Sequence, residues 1–219
     1  MKKKTLGLFA MVVVGSGCAT TNPTDEPIST RAQLNVAAQQ EDCDAAAEAL
    51  ATLNNSRVDA EVLSEGYLVT AHACIISGQH GKGGAQAEQF LDKFPAHPSA
   101  DYAAYLAIMG DFLQWRDRTS ASSKKTPAET IDQGRALLSR LVQFRGEYPS
   151  SSFLERLIPV AKRLRERIAE AELTLAEEAL ADGDVETASL RARYIRIQYA
   201  NTQAGEAALD MLGEAQQGN

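Results

Sequence analysis

Residues 157–199, LIPVAKRLRERIAEAELTLAEEALADGDVETASLRARYIRIQY, decide the fold. Leu157, Ala161, Leu164, Ile168, Ala171, Leu175 and Ala179 step by three or four, the spacing that puts side chains on one face of an α-helix. Arg163, Arg165, Glu166, Arg167, Glu170 and Glu177 mostly take the other faces, as in a half-buried helix. Asp182-Gly183-Asp184 stops it, Gly183 being suited to the left-handed position at a helix C-terminus. A second helix over about Val185 to Tyr199 then folds back on the first. Pro159 kinks the first helix unless it lies in the first turn.

The same unit recurs upstream. Leu34–Gln40, a turn at Glu41-Asp42 and Asp44–Leu53 make one hairpin; Glu61–Ile76, a turn over residues 77–81 and Lys82–Phe94 make another. Units close alike: Phe90…Phe94-Pro95, Phe144…Tyr148-Pro149, Tyr194…Tyr199. Alanine at helix contacts and an aromatic-Pro ending look like the tetratricopeptide pattern of about 34 residues. A lone hairpin cannot bury its apolar face, so the expected fold is an all-α solenoid of about five hairpins in one elongated domain over residues 30–215. Ser99–Phe112 continues it, and residues 115–130, WRDRTSASSKKTPAET, are expected as an exposed polar loop. Pro127 then opens the next helix, with Thr126 as N-cap.

The first 29 residues have another character. Lys2, Lys3 and Lys4 precede an apolar run, Leu6–Val14, and Gly15-Ser16-Gly17 sets small residues before Cys18. The run is shorter than the roughly 20 residues that span a bilayer. A bacterial lipoprotein signal needs a cysteine here, because its thiol accepts the lipid and cleavage makes it the first residue. The stretch resembles such a lipobox, although Gly15 stands where Leu or Val is usual. The expectation is a cleaved signal at 1–17, lipid on Cys18 as the chain's only prosthetic group, and a flexible tether over 18–29, rich in Pro and small polar residues. Ala19 follows the cysteine where an Asp would retain a lipoprotein at the inner membrane in enteric-type bacteria. That resemblance implies lipid anchorage on the periplasmic face of the outer membrane.

Processing at Cys18 would move the formal charge from −7 to −10, which argues against nucleic-acid binding unless a local basic patch exists. Two cysteines remain in the body. Cys43 begins the second helix of the first hairpin and Cys74 ends the first helix of the next, so antiparallel neighbours can bring them together. A disulfide and two small buried hydrophobes are both open readings.

Catalytic motifs are thin. His72, His80 and His97 show no i, i+4 pairing, and residues 81–84, GKGG, lack the rest of a phosphate loop and are expected as a turn before a helix. Metal and cofactor motifs are not evident. An enzyme would require Glu166, Glu170 or Glu172 in a closed cleft. The reading is a binding surface.

Residues 90–105, FLDKFPAHPSADYAAY, carry more than a generic repeat. With Tyr148-Pro149-Ser150-Ser151-Ser152, the Leu164–Leu173 helix, and Leu190-Arg191 leading to residues 199–204, YANTQA, the chain over about residues 30–212 resembles the BamD (ComL-type) lipoproteins of the β-barrel assembly machine. The resemblance implies amino-terminal repeats that offer a groove to signals of unfolded outer-membrane proteins. It implies carboxy-terminal repeats that dock on the POTRA region of the barrel subunit, alongside other assembly lipoproteins. Position by position, Tyr102 and Tyr105 fall on the D-Y-x-x-Y helix, where groove lining and core packing are both open. Arg191 falls on the Arg of the last hairpin, either an interface anchor or an intra-repeat ion pair. Three departures stand out: Asn54-Asn55-Ser56 replaces the aromatic-Pro ending of the first repeat, Ala200 replaces a Pro, and the carboxy terminus is short. The alternative is a tetratricopeptide lipoprotein organising peptidoglycan synthesis or a secretion apparatus.

Overall fold

The computed structural model describes residues 25–119 and 126–217, side chains being described over 29–119 and 126–213. Within them the chain is all-helical: α1 (Asp25–Gln39), α2 (Cys43–Asn55), α3 (Ala60–Ile76), α4 (His80–Lys93), α5 (Ala100–Arg118), α6 (Pro127–Glu147), α7 (Leu154–Ala181), α8 (Val185–Gln198) and α9 (Gln203–Gln217). Each helix packs on its successor, and α1 on α3, α3 on α5 and α7 on α9, the pairing of a tetratricopeptide-like solenoid. The described residues form four hairpins and a single ninth helix, where about five hairpins were expected. Cys18 and the 1–17 signal lie outside the described residues.

The repeat shows in the caps more sharply than in the letters. Phe94, Tyr148 and Tyr199 end α4, α6 and α8 with φ of −131°, −124° and −130°. Each then accepts, on its carbonyl, the N–H of the third residue on: His97, Ser151 and Thr202, at 3.0, 3.1 and 3.1 Å. The turns inside hairpins are also related. Glu41, Gly78 and Gly183 have φ of 55°, 84° and 81°. Asp42 and Asp184 then cap the following helices, their side chains accepting from the N–H of Ala45 and Thr187. Three of the four hairpins are thus locally specified at their turns, while their apolar faces are left for the neighbour. The repeats exceed the 34-residue pattern because α6 has 21 residues and α7 has 28.

Most of the 157–179 stripe is inside: Leu157, Leu164, Ile168 and Ala171 are buried, joined by Val160, Ala169 and Ala176. Pro159 lies in the second turn of α7, so Glu155 loses one backbone donor, yet the helix continues.

Three boundaries differ from expectation. Helix α1 begins at Asp25, so residues 25–29 of the expected tether are helical; Pro27 lies in the first turn, where the backbone needs no donor. The expected 115–130 loop is shorter, because α5 runs to Arg118 and α6 starts at Pro127, capped by a reciprocal Thr126–Glu129 box. Trp115 is buried rather than exposed: it follows Phe112 by one helical turn and its Nε1–H donates to the Thr130 carbonyl at 3.4 Å. Third, His80 to Gly84 belong to α4, not to a turn before it. Gly83 is there for close approach, and Gly84 supplies the backbone against which α5 packs. A β-carbon on Gly83 would meet Ile75 Cγ1 at 2.6 Å and the Ala71 carbonyl at 2.7 Å, and Gly110 of α5 lies directly against Gly84. The low helix propensity of glycine is offset by this contact.

Cys43 and Cys74 are disulfide-bonded, with Cα atoms 4.4 Å apart, and tie α2 to α3. Start meets end of adjacent antiparallel helices.

Candidate binding surfaces

The start of the D-Y-x-x-Y helix is held by two turns, the one that precedes it and the one that follows α6. In the first, His97 Nδ1 accepts the Ser99 N–H at 3.1 Å, which leaves the proton on Nε2, 3.3 Å from Ser64 Oγ and 3.4 Å from Glu61. The ring meets Phe90 edge-on with centroids 5.2 Å apart. His97 therefore clamps the residue 94–98 turn onto α3 and α4. In the second, Ser151 Oγ donates to Asp101 Oδ2 at 2.7 Å, tying the YPSSS turn to the start of α5.

Tyr102 and Tyr105 are half-buried on α5 and stack with each other, centroids 6.4 Å apart. Phe153 stacks on both, at 5.2 and 4.8 Å, and the Arg156 guanidinium lies over it. Sequence reasoning missed Phe153; the one available signal was an aromatic just after the YPSSS turn. Burial, with Tyr105 beside it, holds the Tyr102 phenol above the ordinary tyrosine range. Its hydroxyl lies 3.0 Å from His72 Nδ1.

Tyr102 and His72 form one wall of a groove of about 430 Å³ along α1, α3 and α5, lined also by Asn35, Ala38, Gln39, Leu68 and Val69. These are the first helices of three successive hairpins. Tyr105 backs this wall through the stack. The first repeat, which lacks its aromatic ending, closes through a polar contact: the Tyr67 hydroxyl donates to Asn54 Oδ1 at 3.2 Å. A concave, mostly apolar groove edged by a few fixed polar groups suits an extended or helical peptide.

The structure does not bring Arg191 to this groove. Arg191 Nη1 donates to Glu172 Oε2 at 2.9 Å, and Arg135 donates to Oε1 of the same carboxylate at 2.6 Å. Glu172, only 5% exposed, therefore links α6, α7 and α8. Arg135 also donates to the Tyr194 hydroxyl at 2.9 Å and lies over its ring. The network pins Tyr194 on a face of α8 where Leu190 and Ile197 are 59% and 75% exposed. Leu190, Tyr194 and Ile197, at i, i+4 and i+7, make one apolar stripe in solvent.

The remaining histidine, His80, pairs through Nδ1 with Asp117 at 2.9 Å, joining α4 to α5. Among the described residues no group of three metal-ligating side chains converges, and no helix is long and apolar enough to cross a membrane.

The described residues form a tetratricopeptide-like solenoid of helical hairpins, with a groove along α1, α3 and α5 toward one end and an exposed apolar stripe on α8 toward the other. Over residues 28–218 the chain matches the YfiO family, described as outer membrane lipoproteins, and it belongs to that family. No individual curated protein matches it significantly.

Proposed function

We propose that the chain is a non-catalytic subunit of the β-barrel assembly machinery of the BamD type, held by lipid on Cys18 at the periplasmic face of the outer membrane. The α1–α3–α5 groove takes signals of unfolded outer-membrane proteins, and the α8 stripe docks on the POTRA region of the barrel subunit, with other assembly lipoproteins as further partners. Membership of the outer-membrane lipoprotein family supports the setting. The observation that carries the docking role is the stripe of Leu190, Tyr194 and Ile197, because its central aromatic is already immobilised by Arg135. A rigid aromatic flanked by exposed aliphatics gives contact area at low ordering cost. Arg191 acts here as a positioning residue, through Glu172. The lipid confines the scaffold to the surface where its partners assemble, which raises effective concentration.

Co-purification from detergent-solubilised membranes tests the reading. The wild-type chain is expected to recover an outer-membrane barrel protein with POTRA domains, identified by mass spectrometry. A Leu190→Glu/Ile197→Glu variant should recover at least about tenfold less while keeping its helical circular dichroism, since exposed substitutions change stability by only about 0.5 kcal/mol. Recovery of a peptidoglycan-synthesis or secretion complex instead would support the alternative scaffold role. Separately, Cys18→Ala should lose acyl label and leave the membrane fraction; an unlabelled variant that still floats with membranes overturns the anchor.

A further inference from the structure

A second cavity lies where α5 ends and α7 passes it, about 20 Å along α5 from Tyr102 at a rise of about 1.5 Å per residue. Its volume is about 560 Å³. Phe112, Trp115 and Pro159 supply apolar lining, and Arg116, Lys162, Arg163 and Arg167 supply cations. Such a volume lies within the range of about 300–1,000 Å³ for small-ligand and side-chain pockets.

The cations are not equivalent. Arg116 is taken by Asp117, with Nε and Nη2 at 3.0 and 2.8 Å from Oδ1. Arg167 donates to Glu170 at 2.7 Å and to the Thr119 carbonyl. Lys162 and Arg163 are exposed on α7 and have no ion pair among the described residues. Glu166, the single acid in the lining, does not pair with either of them within 4 Å. In a chain of net charge −7, two exposed cations with no ion pair among the described residues, beside a cavity lined by Pro159 and the edges of Phe112 and Trp115, are a local reversal of the overall field.

We propose that this cavity binds an acidic peptide segment of a partner protein through one large apolar side chain. The side chain enters against Pro159 and the narrow exposed edges of Phe112 and Trp115, each 4% exposed, while carboxylates flanking it meet Lys162 and Arg163. An apolar floor rewards desolvation of a ring or aliphatic chain, and the cations select the sign of the flanking charge and speed encounter. The site is separate from the groove and the α8 stripe and does not depend on the role assigned to them.

Trp115, the only tryptophan in the chain, is a built-in reporter. The probe is an acetylated, amidated heptapeptide with a central Phe flanked by Glu on both sides. Its controls carry Lys for Glu, or Ala for Phe, and phosphatidylglycerol vesicles provide an anionic surface without peptide. The full-length processed protein should show a saturable shift in tryptophan emission with the Glu/Phe peptide, weakening as salt rises from about 50 to about 500 mM. Lys162→Glu/Arg163→Glu should weaken it at least tenfold with unchanged circular dichroism, and both control peptides should be weaker by a similar factor. Equal binding by the charge-reversed variant, equal binding of the Lys peptide, or an emission change with vesicles alone overturns the proposal. If the double reversal unfolds, Lys162→Gln/Arg163→Gln gives the same comparison with an expected loss of about threefold or more; no loss there overturns it too.

Discussion

Replacing Gly110 with alanine is expected to destabilise the protein by about 3 kcal/mol, among the largest effects of any single methyl group in the chain. The added β-carbon would sit 2.7 Å from Gly84 Cα, Gly84 N and the His80 carbonyl. All three are backbone atoms, so no side chain can rotate away; α4 and α5 must separate. These two helices also carry Ala87, Leu106 and Ala107, packed in one buried cluster, so separation opens a cavity beside the clash. Gly146 is the matched control: it is exposed in the last turn of α6, and an added methyl group would meet nothing within 4 Å. Gly146→Ala should be neutral or stabilise by up to about 0.5 kcal/mol, because alanine lowers the entropy of the unfolded chain. Urea unfolding of both variants checks this. Equal midpoints would mean that α4 and α5 do not approach as closely as their glycines allow.

Removing the disulfide, as Cys43→Ser/Cys74→Ser, is expected to cost about 3–4 kcal/mol. The bonded residues are 31 apart, and the chain-entropy relation for a loop of this length gives that value. The loss should be local. In a stacked array each repeat is held by its neighbours, and among the described residues the α1–α2 hairpin packs mainly on α3. Hydrogen exchange should therefore quicken first in α1 and α2, with α7 and α8 little changed. A uniform rise across all helices would show that the array unfolds as one unit. The serine substitution adds two polar groups at positions 0–1% exposed, so Cys43→Ala/Cys74→Ala separates loss of the bond from burial of a hydroxyl. Mild reduction of the wild-type protein should reproduce the alanine result.

How much of the site is legible in the sequence differs by residue. Tyr102 and Tyr105 are open between groove and core, and the structure gives both roles, Tyr102 on the wall and Tyr105 behind it in the Phe153 stack. Phe153 stays hidden in the string because it comes from the next repeat, 48 positions after Tyr105. Arg191 is open between an anchor and an ion pair; its partner Glu172 lies on the preceding helix, whose register against α8 no local pattern specifies. Trp115 is misplaced because the polar residues around it outweigh one indole at helical spacing from Phe112. Residues 81–84 mislead in the opposite direction: glycines that look like a turn are instead the contact points of α4 with α3 and α5.

What the amino-acid sequence by itself determined is the local grammar: helices from a 3.6-residue period, stops at Asp182-Gly183-Asp184, the Thr126 cap, and aromatic endings that mark each hairpin. These are interactions within a few residues, so their cause is contained in the string. Tertiary structure alone decided which surfaces remain open. The groove beside Tyr102, the exposed α8 stripe and the cationic cavity near Trp115 arise where helices of different hairpins meet or fail to meet. That depends on the angle and distance of stacking, which backbone approach at a few glycines and alanines sets across long stretches of chain.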